Sequence, residues 1–174
     1  MTAATIDDFA IGAAFLAEAR DRLAAAHALL QHCAAQLNDE QIWWRPRDSQ
    51  NSIGNLLLHI TGNLHERIVS LVGGESSRRN RPQEFAERGP IPRNELLERL
   101  RQVVAQCDGI LVNLSPGRLL EPRSYEGINQ RFDLNVLGVI LHTLLHMTGH
   151  TQEIVFMTRS ILGDNYRFSN PAAK

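Results

Sequence analysis

Three histidines stand four residues apart near the C-terminal end: His142, His146 and His150. In a helix each four-residue step advances about one turn and rotates the side chain only slightly. Neighbouring imidazoles in this ladder therefore converge, and an i,i+4 histidine pair is a common way for one helix to supply two metal ligands. His142 and His150 are eight residues apart, about 12 Å along a helix axis, so one ion cannot take both. The pair is 142/146 or 146/150, with His146 common to both. The third ligand must come from a facing helix. His59 is the best candidate: it sits in Asn55-Leu-Leu-Leu-His59-Ile, where an imidazole among aliphatic neighbours needs a partner or a ligand. The plainer alternative for the ladder and for His59 is a set of core histidines satisfied by ordinary hydrogen bonds. His65, roughly opposite His59 on the helix, reads as solvated. His27 and His32 have no ladder partner and read as surface or interfacial residues.

Three neutral imidazoles would leave two or three coordination positions open, whereas structural zinc sites are closed by a fourth protein ligand. An open divalent ion can lower the pKa of a bound water or thiol and so generate a nucleophile at neutral pH. Imidazole suits Zn, Ni, Fe or Cu, and Zn and Ni are the leading expectations. Glu153, beyond His150, and Glu66, beyond His59, are the carboxylates best spaced to act as base or as acceptor for a ligand N–H. The plainer reading of each is a surface charge.

Four long helices have to position these residues. The first runs from about Asp8 to Leu37, with Phe9, Leu16, Leu23, Leu30 and Leu37 following a helical pattern. Asp39 begins a short extra turn that Pro46 stops, and Trp43 and Trp44 read as packing over the end of the helices. The second starts at the N-cap Ser52 and stops at Gly73-Gly74. Residues 75–92 form a polar link with four arginines and three prolines. Arginines 78, 79, 81, 88 and 93 read as solvated rather than as an anion site. The third helix follows Pro92 and ends at Ser115-Pro116-Gly117. Residues 118–132 hold a short extended segment, Arg123 to Glu126, before a turn at Gly127. Asp133 reads as the N-cap of the last helix, which runs to about Leu162. The expected fold is all-α, a four-helix bundle over residues 1–174 as a single domain. The links after the first and third helices span about 14 and 18 residues, and at least one is long enough to cross over rather than make a hairpin.

Composition is consistent with this and narrows the function. The 174 residues suffice for one core, and 43% hydrophobic with 21% charged residues is ordinary for a globular chain. A net charge of −1 gives no argument for nucleic acid or an anionic membrane. Cys33 and Cys107 fall in helical segments and read as buried hydrophobes in a reducing cytoplasm, not as a disulfide framework. No signal peptide is evident, and no apolar run approaches the roughly 20 residues of a membrane span.

Several segments in order resemble one family. These are Trp43-Trp44-Arg-Pro46, Asn51-Ser-Ile-Gly-Asn-Leu-Leu-Leu-His59-Ile-Thr-Gly-Asn63, Arg79-Asn-Arg-Pro82 and His142-xxx-His146-xxx-His150. Together they are similar to the DinB/YfiT-like superfamily, nearest its DUF1572-type branch, over almost the whole chain. That resemblance implies a four-helix bundle holding one divalent metal through His59, His146 and His150, with His142 beside the site. It also implies a small-molecule partner, with relatives using the metal to activate a low-molecular-weight thiol such as bacillithiol or mycothiol. A thiol S-transferase is the leading expectation. A metal-dependent hydrolase, or a non-catalytic stress-response or interaction module, is the alternative, and a homodimer is expected. One departure stands out: where many relatives have Gly-Gln-Ile after the last ligand, this chain has Thr151-Gln152-Glu153-Ile154.

Overall fold

The computed structural model describes residues 7–127 and 129–169. Each long helix begins where a side chain can satisfy its first free N–H groups. Helix α1 (Asp8–Ala35) is capped by Asp7, which accepts from the amides of Phe9 and Ala10. After a short α2 (Asp39–Trp43), α3 (Ile53–Leu64) starts on a capping box between Ser52 and Asn55 and continues as a π-helical stretch, His65–Val72. A short α4 (Arg81–Ala86) has Asn80 as its cap and an early proline. Then come α5 (Arg93–Asn113), an antiparallel ribbon of β1 (Pro122–Glu126) and β2 (Arg131–Asn135), and α6 (Val136–Leu162).

The four long helices share one apolar core, with Leu30, Ile53, Leu56, Leu57, Ile60, Leu100, Val139 and Ile140 all buried. Each such side chain contributes about 1.5–3 kcal/mol, so burial rather than local propensity holds the helices. Among the long helices, α1 lies against α5 and α6, and α3 lies against the same two. Consecutive long helices α1 and α3 are therefore diagonal, as are α5 and α6. The segments 36–52 and 114–135 make those diagonal crossings, which are the two links whose length the sequence singles out.

The structure corrects the sequence reading in three places. The chain is mostly helical rather than all-α, because Pro122–Glu126 and Arg131–Asn135 form the two-stranded ribbon. Asp133 is not a cap; it pairs with Arg131 at 2.9 Å inside β2, and Asn135 caps α6 through the amide of Gly138. The strand runs on to Asn135 because Leu134 and Phe132 turn inward while Asp133 and Arg131 turn out. Finally, the polar link is not simply solvated. Its Asn55 tie is buried: Nδ2 donates 2.9 Å bonds to the carbonyls of Glu84 and Glu87. Trp43 is clamped over the same link, donating from Nε1 to Ile91 O at 2.9 Å and covering Gly89, whose φ of +86° is open to glycine. Trp44 is 48% exposed and does not share that packing. Cys33 and Cys107 are buried free thiols, and burial pushes the Cys107 thiol up to about 12.

Asn55→Ala removes the capping box and strands two link carbonyls. It should lower the unfolding free energy in urea by about 2–3 kcal/mol and speed amide exchange across 75–92 selectively. A change below about 0.5 kcal/mol would show that the link is held by other contacts.

Candidate metal centre

Helices α3 and α6 face each other with His59 on one and His146 and His150 on the other. One ring nitrogen from each of the three lies within 4.8 Å of the other two. The rings are nearly perpendicular in pairs, with interplanar angles of 77°, 88° and 89°. His59 is only 3% exposed, and its Nε2 lies 2.9 Å from Nε2 of His146.

The proton positions follow from the neighbours. His59 Nδ1 is 2.9 Å from Glu84 Oε2. A carboxylate only accepts, so His59 donates from Nδ1 and keeps the lone pair on Nε2. Arg79 Nη2 lies 3.1 Å from the same Nδ1, but its hydrogen goes to Glu84 Oε2 at 2.9 Å. Glu153 Oε2 sits 2.9 Å from His150 Nδ1 and orients that ring in the same way. Two lone pairs cannot face each other across 2.9 Å, so His59 and His146 must share a proton or a cation between their Nε2 atoms.

These residues fit a divalent ion. Zinc–imidazole bonds are about 2.0–2.1 Å, so two nitrogens on one ion stand no more than about 4.2 Å apart. The spacing of this cluster is on that scale, and the carboxylate behind a ligand imidazole is a recurrent support that fixes its tautomer. The three histidines can hold a metal ion. Among the described residues no fourth His, Cys, Asp or Glu joins them.

Burial drives the His59 pKa down, against the raising effect of Glu84 and helped by the Arg79 charge. Burial first, then the neighbouring histidines and Arg79, bring His146 down to about 4. Burial would raise the Glu84 carboxyl, but hydrogen bonds from Arg79 and His59 outweigh it and hold the group below its usual value.

The other expected residues fall as follows. His142 stays outside the cluster and shares a 2.5 Å hydrogen bond with the Tyr125 hydroxyl through Nδ1. Glu66 touches no member of the cluster; its Oε2 accepts from Arg79 Nη1 at 2.9 Å. His65 is half-buried at the start of the π-helical stretch, and His32 bonds the Arg167 carbonyl from α1. Arg79, expected in solvent, is 6% exposed and bridges Glu84 and Glu66. The residue missed by sequence reasoning is Glu84. Its signals were the cap Asn80 with Pro82, which start a short helix, and Gly62, one turn beyond His59. A Cβ on Gly62 would collide with Glu84 Oε1, so only glycine leaves room for the carboxylate.

A cavity of about 760 Å³ opens onto His59 and His146. Its walls are the π-helical end of α3, the 79–82 segment, the β1–β2 ribbon and α6.

The comparisons with known proteins bear on this arrangement. A family model described as "Protein of unknown function (DUF1572)" matches residues 10–172. The chain is a DUF1572 protein. No curated protein matches it. Among solved structures, the DUF1572 chain is similar to a conserved protein from Enterococcus faecalis, with a TM-score of 0.69 at 16% identity, covering 83% of this chain and 95% of that one. It is also similar to a DinB-like protein from Bacillus cereus, with a TM-score of 0.62 at 14% identity, covering 78% and 85%. A DinB-like protein from Bacillus subtilis gives 0.63 at 12% identity, covering 88% and 97%. At these identities the likeness is one of fold. Among the described residues, no helix is long and apolar enough to cross a membrane.

Acidification reads the cluster directly. An unfolded histidine takes up a proton below about 6.5, while His146 in the fold refuses it until about 4. Folding therefore loses stability as pH falls through that window, and His59, shifted the same way, adds to the loss. Glu84 adds a further loss as pH drops below the ordinary carboxyl value of 4.5. Chelator-treated protein should show a urea midpoint that falls from pH 6.5 to 4, and His146→Gln should flatten that slope; parallel curves would contradict it.

Proposed function

We propose that this chain is a four-helix-bundle domain spanning residues 1–174 that holds one divalent ion, Zn or Ni, through His59, His146 and His150. We further propose that it uses the ion on a small molecule entering the adjacent cavity, with thiol S-transfer as the reaction. The observation that carries the reading is a cluster of three convergent imidazoles, two of which, His59 and His146, line a cavity large enough for a metabolite-sized ligand. A bound divalent ion supplies a lowered pKa to a thiol that reaches it.

The chain's own residues do the rest. Glu84 holds the proton on His59 Nδ1 and so presents Nε2; Arg79 holds Glu84. Glu153 does the same for His150. In the transfer, the thiol proton leaves to solvent, the sulfur electron pair forms the new S–C bond, and the leaving group departs with its bonding pair. The Tyr125 hydroxyl and His142, on the cavity wall, are the groups placed to pass a proton to that leaving group. Apolar side chains along the outer face of α6, with Leu145 63% and Phe156 72% exposed, support a homodimer built on that face.

Elemental analysis of purified protein should give one metal per chain. His59→Ala, His146→Ala and His150→Ala should each lose it, while His142→Ala retains it; loss in the His142 variant with retention in the His150 variant would reassign the pair. Glu84→Gln should weaken metal affinity about 10–100-fold. Calorimetry with a small thiol should show binding only to the metal-loaded protein, and absence of thiol binding there removes the transferase reading. Sedimentation equilibrium should give twice the chain mass, falling to one chain mass for Leu145→Glu/Phe156→Glu.

A further inference from the structure

Two guanidinium groups in the cavity are placed in a way that the metal cluster does not explain. Arg67 leaves the π-helical end of α3 and lies over the ring of Tyr125, with Cζ 3.4 Å from the centroid. Its side chain is 13% exposed, and among the described residues its one carboxylate contact is Glu66 Oε2 at 3.3 Å. That oxygen already accepts from Arg79 Nη1 at 2.9 Å, so one carboxylate serves two cations. Arg81 lies over Phe85, with Cζ 4.6 Å from the centroid, and among the described residues it has no carboxylate in salt-bridge range. Phe85 in turn packs against His59, with centroids 4.7 Å apart.

Neither guanidinium has a full set of carboxylate partners, so the N–H groups that face the cavity are open to an anionic ligand. Stacking on an aromatic ring satisfies the face of the guanidinium and leaves its edge N–H groups free, in the fork that matches a carboxylate. Both arginines line the same cavity as His59 and His146. The Tyr125 platform is itself fixed, stacked on Phe132 at 4.9 Å across the ribbon and bonded to His142. Two carboxylates also line this space. Glu66 is engaged as described, and Glu126 is 74% exposed and 3.7 Å from Arg131. Neither supplies Arg67 with a bidentate partner.

We propose that Arg67 on Tyr125, assisted by Arg81 on Phe85, is a carboxylate receptor, so that the molecule entering this cavity is an acidic one, anchored by a carboxylate at the ribbon end while its reactive group reaches the histidines. The thiol identity of that reactive group rests on the function proposed above; the carboxylate anchor does not.

The test uses the zinc-loaded full chain in calorimetry with two probes of similar size, 3-mercaptopropionate and 2-mercaptoethanol. Wild type should bind the acid about tenfold or more tightly. Arg67→Met should bring the ratio near one with unchanged zinc stoichiometry and unchanged affinity for the neutral thiol. Arg67→Lys, which keeps charge but loses the planar fork, should recover only part of the preference, and it carries the test if the Met variant does not fold. A wild-type ratio near one, or a ratio that survives both substitutions, overturns the proposal. If neither thiol binds, the thiol reading falls and succinate decides the anchor. Binding of succinate weakened about tenfold by the Arg67 substitutions upholds it, and equal or absent binding overturns it.

Discussion

The buried contact between Arg79, Glu84 and His59 constrains more of this molecule than any other interaction. A guanidinium 6% exposed and a carboxylate 10% exposed can coexist only if their charges meet with good geometry, and here two nitrogens of Arg79 reach both oxygens of Glu84 at 2.7 and 2.9 Å. Such a pair adds little net stability, because desolvation offsets the attraction. Its effect is positional. Glu84 must lie against α3, which requires Gly62 to lack a side chain and Asn55 to hold the backbone of the link. Helix α4, the Trp43 clamp and the path from α3 to α5 all follow from placing that one carboxylate.

Electrostatics at the histidines follow from the same contact. Glu84 decides which nitrogen of His59 carries the proton, and the nearby Arg79 charge with burial keeps both His59 and His146 from becoming cationic. Neutral imidazoles that meet Nε2 to Nε2 share either a proton or a cation. The polar cluster is supported on two rigid helices whose remaining inward faces are aliphatic, so its donors are held by packing as well as by hydrogen bonds.

Around this centre the chain builds two different walls. One is the link with α4, tied down by buried hydrogen bonds. The other is the β1–β2 ribbon, where Tyr125 pairs with Phe132 and bonds His142. The third histidine of the ladder is thus taken up by the cavity wall. The same ribbon covers Arg67 at the end of α3, where the helix widens into π-geometry, a feature often found at functional sites.

Local pattern was enough for the helices and for the cluster's members. The helical period of the apolar residues, Ser52 and Pro92 as start signals, and Gly73 and Gly163 as stops are short-range effects, and they place the four long helices within a few residues. Link lengths were enough to expect at least one crossing, because chain reach is a geometric limit. His59 was legible because a histidine among leucines needs a partner; the i,i+4 spacing brought in His146 but left His142 and His150 as alternatives, and the family resemblance favoured His150. Glu84, Arg79 and Arg67 were not legible. They lie in or beside polar segments where no periodicity ties them to a partner, and His59 meets Glu84 across 25 residues only after the link folds back. Asp133 misled because a capping residue and an outward strand residue look alike until the strand's pairing partner is known. Which histidines exist was a matter of sequence; which nitrogen faces inward, which charges are buried with them and what walls the cavity depended on non-local contacts, which only the tertiary structure brings together.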